Sequence, residues 1–324
     1  MFTLTPWIRH GAALLVAMLT VALIATLASA ALWQQWRQVE IESAERGRSQ
    51  TAWMMTGALD WTRLILREDA NSAQATGVDH LGEPWALPVQ ESRLSSFLSQ
   101  DQQWREGDAE VFLSGHITDA QSRLNVRNLI EDGHIAAAEW ASWRRLFERL
   151  NLPLPELETL ARQLVLALPT SATAQRPVAR APLMPQRTAQ LVWQGLSPAT
   201  VNALDHFITV LPEPTTLNLN TAPPEVLMAS VSGLDLASAR QLVALRARAP
   251  WTSLDAARKA FGPAARSIDD RRHGVQSHYF ELNGRMRIDQ VVQQEQALVR
   301  RENNQVRMLW RARAPQWRHK PPLQ

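Results

Sequence analysis

Residues 12–32 form a run of 21 residues without a charge, from Ala12 to Leu32. A helix of that length rises about 30 Å, the thickness of a bilayer's hydrocarbon core. Arg9 and His10 precede the run, and Trp33 and Trp36 follow it. An arginine on a short N-terminal flank favours the cytoplasmic side and tryptophans suit the far interface, so the remaining residues are expected to face outward. The fold must therefore be one that tolerates a tether to a membrane, or export across it.

Three readings of the run compete. Ala28-Ser29-Ala30 after an apolar stretch fits a cleaved secretory signal. An uncleaved anchor is the second. The third is one long helix, half in lipid and half in a soluble domain. It is favoured because Ala44, Thr51, Ala52, Met55, Leu59, Thr62 and Leu66 keep helical spacing beyond the run, with no proline between Trp7 and Glu83.

The rest reads as a folded protein: 324 residues, 45% hydrophobic and 20% charged, have room for two domains or one with a large insertion. With no cysteine there is no disulfide, thiol nucleophile or thiolate metal site. The formal charge of +3 is uneven, because residues 285–324 hold nine Arg or Lys against three acids. Arginine-rich strands are expected to present solvated faces, with acidic partners or anionic lipid as the other uses, and pI alone does not imply nucleic acid.

After the long helix, Asp69 to Gly82 is polar and rich in small residues and predicts a loop. Val111, Leu113, Gly115 and Ile117 alternate with Phe112, Ser114, His116 and Thr118, predicting a strand that turns at Asp119 to Ser122 into Leu124 and Val126 as a hairpin. Helical periodicity follows near 135–150, 155–168, 199–210, 223–231, 235–248 and 253–261, while Pro169 to Pro185 predicts an exposed connection. Period two returns near 277–284, 285–300 and 306–313, with a turn at Asn303-Asn304. The fold class is α+β, a long N-terminal helix packed on an antiparallel sheet with a large inserted all-α domain.

Leu217 to Arg246 resembles a helix-hairpin-helix, with Asn220 or Thr221 able to cap its first helix and Pro223 in that helix's first turn. DNA-binding versions use a Gly-x-Gly hairpin to present backbone N–H groups to a phosphate. Here Ser232-Gly233-Leu234-Asp235 puts a carboxylate at the second glycine, where it repels phosphate and caps the next helix, so packing is favoured over nucleic acid. A membrane-anchored DNA-binding protein remains the alternative. No catalytic or phosphate-loop motif is present, so no enzyme is expected, and no nucleophile and base can be nominated for a periplasmic hydrolase. His273 and His278 are expected at the surface, and Glu131-Asp132 and Asp269-Asp270 as surface charge or caps.

Arg9-His10-Gly11-Ala12-Ala13-Leu14-Leu15 resembles the class III leader of pilins and pseudopilins, and residues 114–129, SGHITDAQSRLNVRNL, resemble the signature of the minor pseudopilins of the K type in type II secretion systems. The Asn-x-Asn-Thr-Ala-Pro wording at Asn218 to Pro223 is similar too. That resemblance implies a leader of residues 1–11, a transmembrane helix at 12–32 and a pseudopilin helix with first strands at 33–129. It further implies an inserted helical domain at 130–276 containing the 217–246 element, closing strands at 277–314 and a loose tail at 315–324. It also implies cleavage between Gly11 and Ala12 by a prepilin peptidase, with N-methylation of Ala12. Most pilins carry Glu at the fifth mature position, where it neutralises the preceding subunit's ammonium; Val16 stands there, as befits a filament-tip subunit with no predecessor. The implied setting is the bacterial inner membrane, single-pass, N-terminus cytoplasmic and main domain periplasmic. Implied partners are minor pseudopilins of types I, J and H, the peptidase, the inner-membrane assembly platform and secreted cargo. Some relatives hold calcium in the inserted domain, but Gln163 to Arg187 contains no Asp or Glu, so no calcium and no other cofactor is expected.

Overall fold

The computed structural model describes residues 8–71, 77–93, 110–168, 181–288, 291–302 and 305–313. Residues 1–7 of the expected leader, most of the Pro-rich connection, the Asn303-Asn304 turn and the tail lie outside the described residues. The chain divides into two units, Met1–Gly57 and Ala58–Gln324.

The first unit is the greater part of helix α1 (Ile8–Asn71). Its most apolar window has a mean hydropathy of 2.4 and is wholly unburied, which makes it long and apolar enough to cross a membrane. Leu14, Leu19, Leu23, Ile24 and Leu27 are all exposed, so the helix is apolar around its whole circumference rather than along one stripe. Hydroxyls do not interrupt it, because Thr20 and Thr26 donate back to the carbonyls of Ala17 and Leu23 at 2.9 and 2.8 Å.

In the second unit α1 ends against a five-stranded antiparallel sheet, in the order β1 (Val89–Arg93), β2 (Val111–Asp119), β3 (Tyr279–Ile288), β4 (Val291–Glu302), β5 (Gln305–Arg313). Leu59 and Leu66 are buried, and Arg63 donates through Nε and Nη2 to the carbonyl of Val306 in β5 at 2.9 and 2.6 Å. Val111, Leu113, Leu282, Met286, Ala297 and Val299 supply the sheet's apolar interior. Both faces of β3 are covered where it begins. Phe280 meets the ring of Trp85 edge-on at 5.1 Å, while Tyr279 joins Ala120, Leu211 and Leu298 on the other side.

The inserted helices are α2 (Ala137–Arg149), α3 (Leu154–Ala167), α4 (Pro198–Leu204), α5 (Pro224–Ser230), α6 (Leu236–Arg248) and α7 (Leu254–Phe261). They close on one core that includes Trp143, Phe147, Leu157, Leu160, Leu227 and Ala239. The fold is the expected α+β arrangement.

Several details depart from expectation. β2 does not turn back as a hairpin. A 3₁₀ turn at Ala120–Ser122 redirects the chain, and Leu124–Asn125 pairs in parallel with Ile208–Thr209, far along the insertion. β3 runs unbroken to Ile288 through Asn283-Gly284, a local turn signal that tertiary pairing overrides. Gly284 faces Gly115 of β2, and a Cβ on Gly115 would lie 2.6 Å from the carbonyl of Asn283, so the two strands approach closely only with glycine there. Helix α4 stops at Leu204, short of the expected 210, because Ile208 and Thr209 are taken by that parallel bridge. Residues 77–83 are not a free loop: Val78 and Asp79 are buried.

Candidate functional site

The 114–129 signature becomes a polar seam along which the insertion is fastened to the pilin-like body. Gln121 donates from Nε2 to the carbonyl of Thr216 at 2.9 Å and accepts from the N–H of His278 at 2.6 Å. Asn125 donates to the carbonyl of Glu213 at 2.8 Å and accepts from the N–H of Leu211 at 3.2 Å. Asn128 makes a reciprocal pair with the backbone of Thr215, at 2.7 and 3.0 Å. Each of these side chains satisfies backbone groups that belong to no regular ladder, which explains why amides occupy these positions.

At the centre of the seam lies Asp119, 1% exposed. Its Oδ1 accepts from the N–H of Gln121 at 2.7 Å. Its Oδ2 accepts from Thr221 Oγ1 at 2.5 Å, Ser277 Oγ at 2.6 Å and Asn218 Nδ2 at 3.1 Å. Burial pushes this carboxyl up to about 6 despite those donors, which pull the other way. Asn218 carries the network onward to the carbonyl of Asp79 at 3.1 Å, and Arg246 donates to the carbonyls of Leu219 and Ala222, the latter at 2.5 Å. Burial lowers Arg246 to about 10, with the charge of Asp119 opposing that shift.

Beside the seam an open pocket of about 360 Å³ is lined by Asp69, Asp79, Glu83, Ser277, His278 and Arg301 among others. Arg301 donates to Asp69 Oδ2 at 2.9 Å, to Asp79 Oδ1, and to the carbonyl of Ser277 at 3.0 Å. Its guanidinium also stands 4.7 Å over the ring of Phe280. Burial raises Asp69, outweighing the pull of Arg301. Three carboxylates could offer hard oxygens to a cation, but the guanidinium already takes two of them. The stretch in which relatives' calcium was expected has no carboxylate in its sequence with which to hold that ion.

His273 is a correction: it is 1% exposed rather than at the surface. Its Nδ1 lies 3.1 Å from the backbone nitrogen of Asp269 and 3.2 Å from that residue's carbonyl oxygen, and its Nε2 lies 2.8 Å from Ser230 Oγ. Burial lowers its pKa to about 4, so the ring is neutral. A catalytic Ser–His pair needs a serine that a substrate can reach, and Ser230 is itself buried. The pair is a core hydrogen bond. His278 is exposed, and Asp270 pairs with Arg258.

The helix-hairpin-helix element is likewise structural in its details. Pro223, not Asn220 or Thr221, is the N-cap of α5, and it makes no side-chain cap bond. Asn220 instead binds both N–H and C=O of Trp251, at 3.0 and 2.9 Å, and Thr221 serves Asp119. Asp235 caps α6 by accepting from the N–H of Ser238 at 2.7 Å, so the donors a phosphate would need meet a carboxylate. Gly11, Ala12 and Val16 fall in the first turns of α1, where Val16 is exposed like its neighbours.

Asp119, Gln121, Asn125 and Asn128 lie in the signature, where Asp119 to Ser122 were expected as a hairpin turn, whereas Asp79, Ser277 and Arg301 lie outside it. Their partners lie up to 232 positions away, and nothing local marks them.

Comparison with known proteins gives one family throughout. Residues 122–213 and residues 217–276 each match a family model described as type II secretion system (T2SS), protein K. The second covers the element that resembled a DNA-binding motif. A type II secretion system protein K from Pseudomonas aeruginosa is 25% identical over 301 residues, covering 85% of this chain and 83% of that one. Its counterpart from Klebsiella pneumoniae is 28% identical over 272 residues, covering 76% and 78%. The fold matches a chain in the crystal structure of the GspK–GspI–GspJ complex from the enterotoxigenic Escherichia coli type 2 secretion system. The TM-score is 0.61 at 18% identity, over 84% of this chain and 98% of that one. Signature, fold and relatives agree: the family to which this chain is similar is the type II secretion system protein K family.

Proposed function

We propose that the chain is the minor pseudopilin that caps the tip of the periplasmic pseudopilus and initiates its assembly, in the export of folded proteins across the outer membrane. The observation that carries this reading is Val16. An apolar side chain stands where filament subunits carry the glutamate that neutralises their predecessor's ammonium, and α1 has no acidic residue between Ala12 and Val39. A first subunit has no predecessor, and a carboxylate left unpaired in hydrocarbon is costly. Gly11 and Ala12 are the proposed processing pair, and the Ala12 to Leu32 segment the anchor. The proposed setting is a single pass through the inner membrane, with the N-terminus cytoplasmic and the body periplasmic.

Proposed neighbours are the minor pseudopilins of types I, J and H, with the prepilin peptidase, the assembly platform and cargo as transient contacts. The matching Escherichia coli chain comes from a complex of GspK with GspI and GspJ, which supports the first two. The role is mechanical, a reading supported by the burial of the one serine–histidine pair described above, Ser230 and His273. A DNA-binding role gains no support, because the hairpin that would hold phosphate carries Asp235.

Full-length protein co-expressed with the I, J and H subunits should co-purify with I and J and label one end only of each pseudopilus. Val16→Glu should reduce that end-labelling by placing an unpaired acid in the bundle. Labelling along the whole filament, or no association with I and J, contradicts the reading.

A further inference from the structure

Residues 77–87 return the chain from helix α1 to strand β1, and a small set of bonds fixes them. Asp79 donates its N–H to the carbonyl of Val275 at 2.9 Å, accepts from the N–H of Ser277 at 2.7 Å, and receives Asn218 on its carbonyl. Glu83 closes the other end: its Oε2 accepts from the N–H of His80 at 3.0 Å and from Trp85 Nε1 at 2.6 Å. The segment thus touches α1 through the acids, the sheet through Trp85 on Phe280, and the insertion through Asn218.

Its electrostatics are unbalanced. Asp69, Asp79 and Glu83 each bring a carboxylate oxygen within 4.8 Å of the others. Arg301 spends its donors on Asp69, Asp79 and the carbonyl of Ser277. The groups around Glu83 are Asp69 from α1, Asp79 and His80 from its own segment, Arg301 from β4, and His278 at the pocket's rim. With a proton on Glu83, two anions face the guanidinium; without it, three do.

We propose that the 77–87 segment is a pH-operated latch, held closed by a proton on Glu83 and loosened when that proton leaves. Burial lifts Glu83 from 4.5 to about 7 against the pull of the His80 N–H and the Trp85 indole, which favour the charged form, with the charges of Asp69 and Asp79 adding to the lift. A raised folded value means that the stabilisation is complete below about pH 4.5 and is lost as pH rises through about 7. The latch therefore loosens toward alkaline pH, within a range that an outward-facing domain encounters. What it releases is the tie between the end of α1 and the insertion.

Hydrogen exchange on the full chain in detergent micelles, corrected for intrinsic rates, reads this directly. Between about pH 5.5 and 8.5, protection of the Asp79, Glu83, Ala86 and Leu87 amides should fall by about tenfold or more, while α2 and α3 hold theirs. Glu83→Gln keeps an acceptor oxygen for His80 and Trp85 and should hold high protection at both pH values. Asp69→Asn removes one neighbouring charge and should move the transition to lower pH. Unchanged wild-type protection, or the same pH dependence in Glu83→Gln, overturns the proposal. Should Glu83→Gln fail to fold, an unmoved transition in Asp69→Asn overturns it equally.

Discussion

Asp119→Ala should destabilise the second unit by on the order of 3 kcal/mol, measured by denaturant unfolding of the full chain in micelles. The carboxylate takes four hydrogen bonds at a site with 1% exposure, so its removal strands the N–H of Gln121 and the hydroxyls of Ser277 and Thr221 in a dry interior. Asp119→Asn should be no gentler than about half of this. With its oxygen kept on Gln121, the new NH2 faces the NH2 of Asn218, whose own oxygen is committed to the N–H of Asn220 at 2.9 Å and cannot swap. The wild-type protein should also gain stability as pH falls from about 7 toward 4. Burial raises Asp119 to about 6 from 3.8, so its contribution is fullest below the lower value and lost as pH rises through the higher. Asp119→Asn should lack that component. A cost under about 1 kcal/mol for the alanine variant would mean that the seam does not hold the insertion in place.

Arg301→Met should cost about 3–5 kcal/mol, the range for removing one partner of a buried ion pair. Side-chain exposures of 11% for Arg301, 13% for Asp69 and 4% for Asp79 leave little water to take over from the guanidinium. The loss should shrink toward acid pH, as Asp69, which burial already raises, takes up a proton instead of remaining charged. Arg301→Lys should recover only part of it. One ammonium cannot reach Asp69, Asp79 and the carbonyl of Ser277 in the fork that Arg301 uses. Unfolding midpoints of the three proteins at two pH values test the whole set.

The elements most legible in the sequence were those whose signal is local and long. The uncharged run, the alternation of β2 and the helical periods of the insertion each report a face that repeats within a few residues. β1 was missed because Val89-Gln90-Glu91-Ser92-Arg93 is mostly exposed and shows no apolar alternation, and its place is set by pairing with β2 across a bulge. The two-residue parallel bridge between Leu124–Asn125 and Ile208–Thr209 is too short to carry a period of its own. The strand boundary expected after residue 284 does not occur, because Gly284 pairs with Gly115 across the strands and β3 continues to Ile288.

The site was half visible. Asp119, Gln121, Asn125 and Asn128 stand in one signature, but there Asp119 to Ser122 read as the turn of a hairpin. What they satisfy could not be read, since Leu211 to Asn218 and Ser277 are brought in by the fold. His273 shows the same limit, because a histidine among Asp269, Asp270, Arg271 and Arg272 reads as solvated until Ser230 is placed over it. Of the arginine-rich strands, Arg307 and Arg313 are exposed as charge patterning suggests, whereas Arg285, Arg287, Arg300 and Arg311 are half-buried in ion pairs within the chain and Arg301 is a buried hub.

The mature N-terminus, read by intact-mass and N-terminal peptide spectrometry in cells carrying a secretion-system prepilin peptidase, tests the account most directly. A chain beginning at N-methylated Ala12, lost in Gly11→Val, is the predicted result. Cleavage after Ala30, which would release the body from the membrane, would contradict it.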